Sequence, residues 1–259
     1  MRQDVSQQNP YGEFVHLDAT LNIYKRLRAQ LRIFKNSQPC IAVVPRVKYS
    51  RGQLDAYSWR PALWERFLER IITELYLNVV LVGMPRRGAA AGLLEAQDLG
   101  RLKKYSDQVL WISFQGAGAV EAQIALLKST HCSIYGASLA ATLAVFANTP
   151  MFAHQTSTEG FRLHFDWQQK LTDNHRQIKV CARYPFGEAY QNAPVDEVFA
   201  AFQLFYQTLV APTTRMRQAQ TNVEAGRRYL ARADLTLALD CFDRALGLAP
   251  DLPEARVGR

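Results

Sequence analysis

The stretch Ala125-Leu-Leu-Lys-Ser-Thr-His-Cys-Ser-Ile-Tyr-Gly136, continued by Ala137 and Ser138 and then by Leu139-Ala-Ala-Thr-Leu-Ala-Val-Phe-Ala-Asn-Thr-Pro150, decides the fold. It reads as the end of a helix, a strand, a small-residue turn, a second helix and the approach to a further strand. Cys132 to Tyr135 is short and apolar, as a strand covered on both faces must be. Gly136-Ala137-Ser138 turns the chain, Leu139 to Phe146 forms a helix, and Thr149-Pro-Met-Phe152 opens a fifth strand. Strand, crossover helix, strand is the unit of a parallel sheet, because parallel neighbours cannot be joined by a tight turn.

The same alternation extends upstream. Cys40-Ile-Ala-Val-Val44 is a first strand, ended by Pro45 and followed by a polar loop through Asp55. Leu63, Trp64, Phe67, Leu68, Ile71, Ile72 and Leu75 recur at helical spacing, so Pro61 to Leu75 is an amphipathic helix with proline in its first turn. Val79-Val-Leu-Val-Gly83 and Val109-Leu-Trp-Ile-Ser113 are the second and third strands, with a weakly patterned helix between Gly88 and Tyr105. Gln115-Gly-Ala-Gly118 turns into a helix over Val120 to Leu127. Ala153 to Glu188 is polar, aromatic and irregular. Its His154, His164 and His175 lack the spacing of metal ligands and read as surface or packing residues. Val195 to Leu209 is an amphipathic helix that closes the unit. The predicted fold class is α/β, a Rossmann-like doubly wound and mainly parallel sheet.

Before this unit, Tyr24, Leu27, Leu31 and Phe34 define an amphipathic helix ringed by Lys25, Arg26, Arg28, Arg32 and Lys35. Two readings stand for it: a helix packed on the next domain with a solvated basic face, and a membrane-surface or acceptor-binding element. At the other end, Gly226, Tyr229, Ala238, Phe242, Ala245 and Pro250 fall at offsets that resemble the 34-residue tetratricopeptide unit over about Gln218 to Leu252. Small residues let two antiparallel helices approach, aromatics fill their seam, and proline ends the second helix. Asn222 and Ala225 depart from that pattern. The predicted organisation is a polar segment and basic helix over 1–39, an α/β domain over 40–212 and a single helical hairpin over 218–252.

Composition narrows the function classes. A chain of 259 residues with 48% hydrophobic content can bury a sizeable core. No apolar run is long enough to span a bilayer, and Met1 to Asn9 lacks the apolar core of a secretory signal, so the expected location is cytoplasmic, with membrane association through the basic helix left open. Cys40, Cys132, Cys181 and Cys241 are unpaired in spacing and read as small buried hydrophobes. The formal charge of +8 favours anionic partners.

In open α/β sheets ligands bind beyond the carboxyl ends of the strands. The candidate phosphate-binding residues there are Gly136, Ala137 and Ser138 in the turn after the fourth strand, and Arg46, Lys48 and Arg51 in the loop after the first. Glycine allows close backbone approach, and arginine offers paired hydrogen bonds to a diphosphate. Gln115, Gly116 and Gly118, after the third strand, are where a base or ribose would lie. A plain turn with a serine cap and a solvated basic loop are the bland alternatives for both.

The pieces Ala42-Val-Val-Pro-Arg46, the helix around Trp64, Val80-Leu-Val-Gly83 and the stretch from Ala125 to Pro150 together resemble the donor-binding, C-terminal domain of GT-B glycosyltransferases, over about Cys40 to Leu209. The resemblance implies a nucleoside diphosphate sugar as donor and metal-independent transfer, with no cofactor or metal. It also implies sugar or ribose contacts after the Thr-Pro strand, at Thr156, Ser157 and Glu159. GT-B enzymes carry a second Rossmann-like domain for the acceptor, which often supplies the base, so no catalytic residue is assigned. The rival functions are a non-catalytic interaction scaffold built on the helical repeat and another nucleotide-binding α/β domain. A protein partner through the repeat and a homo-oligomer also remain open. No Gly-x-Gly-x-x-Gly follows the first strand, Walker spacing is absent, and no basic stripe is interleaved with aromatics for single-stranded nucleic acid.

Overall fold

A computed structural model describes residues 19–36, 38–83, 100–114, 118–137, 141–156 and 178–258. The chain parts into two compact units, residues 1–203 and 204–259. In the first, β1 (Cys40–Val44), β4 (Asn78–Gly83), β5 (Val109–Ser113), β6 (Ser133–Tyr135), β7 (Met151–Thr156) and β8 (Ile178–Tyr184) form one sheet in the order β5-β4-β1-β6-β7-β8. Every pairing in it is parallel. The α/β class expected from the sequence is the fold observed.

The strands are apolar on both faces because helices cover both. On one side, Ala42, Val44, Val80, Val82, Tyr135 and Ala153 meet α1 (Leu21–Leu31), α3 (Ala119–Ser129) and α4 (Thr142–Phe146). On the other, α2 (Pro61–Glu74) lays down Trp64 and Phe67, which join Trp59, Phe152, His154, Phe199 and Phe202 in a chain of edge-on rings with centroids 4.7–6.3 Å apart. Edge-to-face contact sets the negative ring face against a positive edge and adds about 0.5–1.5 kcal/mol per pair beyond burial. Phe199 and Phe202 belong to α6 (Val195–Phe205).

Three features differ from expectation. The polar loop before Asp55 contains a small hairpin, β2 (Tyr49–Ser50) against β3 (Gln53–Leu54), turned by Arg51 and Gly52, both at positive φ. The region read as irregular after Ala153 continues β7 to Thr156 and supplies β8. Gly100–Tyr105 is a 3₁₀ helix, and the rest of the weak helix from Gly88 lies outside the described residues.

The second unit continues from a π-helical turn, Tyr206–Val210, into α7 (Ala211–Leu230), which folds against α8 (Leu235–Leu248) and a short α9 (Pro253–Gly258). Asp234 caps α8 by accepting from the Leu237 N–H at 3.2 Å. Gly226 faces the Phe242 ring so closely that a Cβ there would stand 2.8 Å from it, and Ala238, Phe242 and Ala245 are fully buried. No helix among the described residues is long and apolar enough to cross a membrane.

Candidate functional site

The strand order fixes where a ligand can enter. From β1 the chain moves outward through β4 and β5, then returns with β6 on the other side of β1. The loops leaving β1 and β6 therefore diverge, and the crevice at such a reversal is where open α/β sheets take ligands. The two loops there carry Arg46 and the turn Gly136-Ala137.

The Gly136 N–H donates to the Val44 carbonyl at 3.1 Å, which seats the turn against the end of β1. A Cβ on Gly136 would stand 2.8 Å from the Arg46 backbone nitrogen, 3.0 Å from the Arg46 Cβ and 3.2 Å from the Trp64 ring. Glycine is required here by space. The Arg46 guanidinium donates to the Ala137 carbonyl at 3.0 Å and to Asp55 Oδ1 at 3.2 Å, and lies over the Tyr57 ring at 5.8 Å. Gln155, near the end of β7, donates to the Gly136 carbonyl at 3.1 Å.

Lys48 and Arg51 stand apart from this contact. The Lys48 main chain holds the base of the hairpin, accepting from the Asp55 N–H at 2.7 Å and donating to Ser58 Oγ at 2.9 Å, while Arg51 is exposed at the hairpin tip. The side chain of Gln191, from α5 (Glu188–Gln191), donates to the carbonyls of Leu54 and Asp55 and so pins the hairpin to the body.

Polar groups without partners collect at this crevice. Among the described residues, Arg46 Nε, Trp64 Nε1 and Gln155 Oε1 are buried and make no hydrogen bond, and each of these side chains touches or bonds Gly136 or would meet its Cβ. Unmet polar atoms at one place in a folded core call for a ligand, a water or a mechanical reason. His154, on the other face of β7, stacks on Tyr190 and meets the edge of Trp59. Burial pushes its imidazole down to about 3, and the nearby Cys181 main chain opposes the shift without forming a well-aligned bond to either ring nitrogen. It is a packing histidine. Burial raises the thiol of Cys40 to about 12 and that of Cys132 as well, and neither acts as a nucleophile in that state.

Of the residues expected to meet a nucleoside, Gly118 begins α3 at φ 89° and lines a cavity of about 240 Å³ with Phe114, Ile23, Leu27, Arg26 and Gln30. Gln115 and Gly116 lie outside the described residues, as do Ser138, Ser157 and Glu159. Thr156 is buried at the end of β7, in register with Tyr184. Asp55, Trp64 and Gln155 were not among the predicted site residues. They reach the crevice from distant parts of the chain, and only the charge of Asp55 in a basic loop hinted at a role.

The class that the fold defines is a Rossmann-like α/β unit with a parallel sheet and a switch point between β1 and β6. No protein-family profile and no curated protein sequence matches the chain. Among solved structures, the ADP-heptose LPS heptosyltransferase II of E. coli superposes with a TM-score of 0.53 at 14% identity, over 74% of this chain and 53% of its own. A glycosyl transferase of family 9 from Veillonella parvula DSM 2008 aligns with a TM-score of 0.49 at 9% identity, over 78% and 56%. This chain spans about half the length of either. The likeness to the E. coli enzyme is one of fold: a Rossmann-like α/β architecture of the GT-B type.

Proposed function

We propose that the α/β unit binds a nucleoside diphosphate sugar along the carboxyl edge of its sheet and acts in glycosyl transfer. The observation that carries this reading is the meeting of Arg46 with Gly136-Ala137 at the switch point, bordered by unpartnered atoms of Arg46, Trp64 and Gln155. The diphosphate would lie against Arg46, Gly136, Ala137 and Ser138, with Lys48 and Arg51 adding positive potential. The base would reach the Gly118 loop after β5. That strand is two strand spacings from β1, about 10 Å, a span comparable with that from a base to its diphosphate. The cavity there, about 240 Å³, is below the roughly 300–1,000 Å³ of sites that hold whole ligands and suits one moiety. The sugar would then approach the end of β7 at Thr156, with Ser157 and Glu159 following it in the chain. The cations would stabilise the leaving diphosphate as its charge develops, without need of a metal.

The fold likeness to an enzyme that uses ADP-heptose puts adenosine beside uridine and guanosine diphosphates in the first trials. Isothermal titration with each diphosphate and its sugar conjugates tests the reading. Saturable binding that weakens in Arg46→Ala supports it, and no heat with any of them sinks it. For the second unit, the close approach of Gly226 to Phe242 and the burial of Ala238 and Ala245 support a tetratricopeptide-type hairpin that would recruit a protein partner.

A further inference from the structure

The most basic stretch free of acidic residues lies near the start of the chain. Between Ala19 and Leu54 are eight of the 31 Lys+Arg and none of the 23 Asp+Glu, an excess equal to the formal charge of +8. Five of the eight, Lys25, Arg26, Arg28, Arg32 and Lys35, lie on or just after α1 and are exposed. Lys25, Arg28 and Arg32 stand at i, i+3 and i+7, which makes one stripe of a helix. The opposite stripe, Ile23, Leu27, Leu31 and Phe34, is packed on the core. None of the five cations has an ion-pair partner among the described residues.

What stands beside the cations identifies the partner. Leu21, four residues before Lys25 on the same stripe, is 78% exposed, and Ile33 is 41% exposed. Tyr24 and Phe34 are turned toward the core. Single-stranded nucleic acid is gripped by cations interleaved with aromatics on which bases stack. Cations flanked by protruding aliphatics instead match a lipid surface, where headgroup phosphates meet the charges and the acyl boundary receives the aliphatic side chains. We infer that the exposed face of α1 is a docking surface for an anionic lipid bilayer, with Lys25, Arg28 and Arg32 as its electrostatic stripe and Leu21 as its apolar contact. The helix lies on the surface and does not enter as a span. This inference does not depend on the nucleotide site.

The test is co-sedimentation of the full chain with vesicles of three parts phosphatidylcholine to one part phosphatidylglycerol, against pure phosphatidylcholine. The protein should bind the anionic vesicles alone. Binding should collapse as salt rises from about 0.1 M to about 1 M, where screening shortens from about 10 to about 3 Å. Lys25→Gln, Arg28→Gln and Arg32→Gln together should weaken partitioning about a hundredfold, at roughly fivefold per cation. Arg227→Gln, Arg228→Gln and Arg232→Gln, a triplet of the same charge elsewhere, should leave it unchanged. Leu21→Ser should weaken it with no change in charge. The α1 triple variant should keep the melting temperature and nucleotide response of the parent, which separates this result from the fate of the donor site. Absence of vesicle binding, vesicle binding untouched by the triple substitution, or binding to an oligonucleotide without binding to vesicles would each overturn the inference.

Discussion

Gly136 and Arg46 approach so closely that no side chain fits between them: a Cβ on Gly136 would sit 2.8 Å from the Arg46 backbone nitrogen. Because the obstacle is backbone, it cannot move aside as a flexible side chain would. Gly136→Ala should therefore destabilise the α/β unit by about 1–3 kcal/mol, the usual range for overpacking, and shift the turn that carries Ala137 away from Arg46. Denaturant unfolding measures the first effect. A variant as stable as the parent would show that the two loops do not touch as described.

Asp55 holds one arm of the Arg46 guanidinium and offsets its charge. Asp55→Asn keeps the side-chain shape that accepts from the Tyr57 N–H at 2.9 Å while removing the negative charge. In a partly exposed pair such a charge is worth about 0.2–1 kcal/mol. Nucleoside diphosphate affinity should rise by up to about fivefold, as titration calorimetry would show. A fall in affinity would mean that Asp55 positions Arg46 more than it competes for it.

His154 makes the fold sensitive to acid. Its folded value of about 3 lies below the ordinary 6.5, so the unfolded chain binds the proton more readily. The stability tied to the neutral ring is intact above pH 6.5 and is lost as pH falls from there toward 3, at no more than about 1.4 kcal/mol per pH unit. His154→Phe retains a ring against Trp59 and Tyr190 and removes the titration. Its stability curve should be flatter between pH 6 and 4, and parallel curves for the two proteins would contradict the assignment.

In the second unit, Ala238 is fully buried in the seam that also holds Phe242. Ala238→Trp should cost about 1–3 kcal/mol or more by overpacking. Hydrogen exchange over Leu235–Leu248 reports this locally, and unchanged protection there would mean that α8 does not present Ala238 to α7.

The strands at Cys40, Asn78, Val109 and Ser133 were legible because a strand covered on both faces must be continuously apolar. β8 was not, since Ile178-Lys-Val-Cys-Ala-Arg-Tyr184 lies at the sheet edge, where Lys179 and Arg183 face solvent and break up the apolar signal. The hairpin turn at Arg51-Gly52 lacks the Asn-Gly signature, and the π-helical turn at Tyr206–Val210 leaves no mark in a helical period. At the site, Gly136 and Arg46 could be singled out from local pattern and charge. Their mutual contact could not, nor could the parts played by Trp64 and Gln155, because those depend on which strands become neighbours.

The account rests on a diphosphate binding where Arg46 meets Gly136, and the melting temperature with and without nucleotide tests it most directly. A ligand at about a hundred times its dissociation constant stabilises the fold by about 2.7 kcal/mol. In a chain of this size that raises the melting point by about 5–10 °C. The shift should appear with a nucleoside diphosphate or its sugar conjugate, shrink in Arg46→Ala through loss of a charged contact worth about 1.5–3 kcal/mol, and persist in Arg256→Ala. No shift with adenosine, uridine or guanosine diphosphate at millimolar concentration, or a shift indifferent to Arg46, would contradict it.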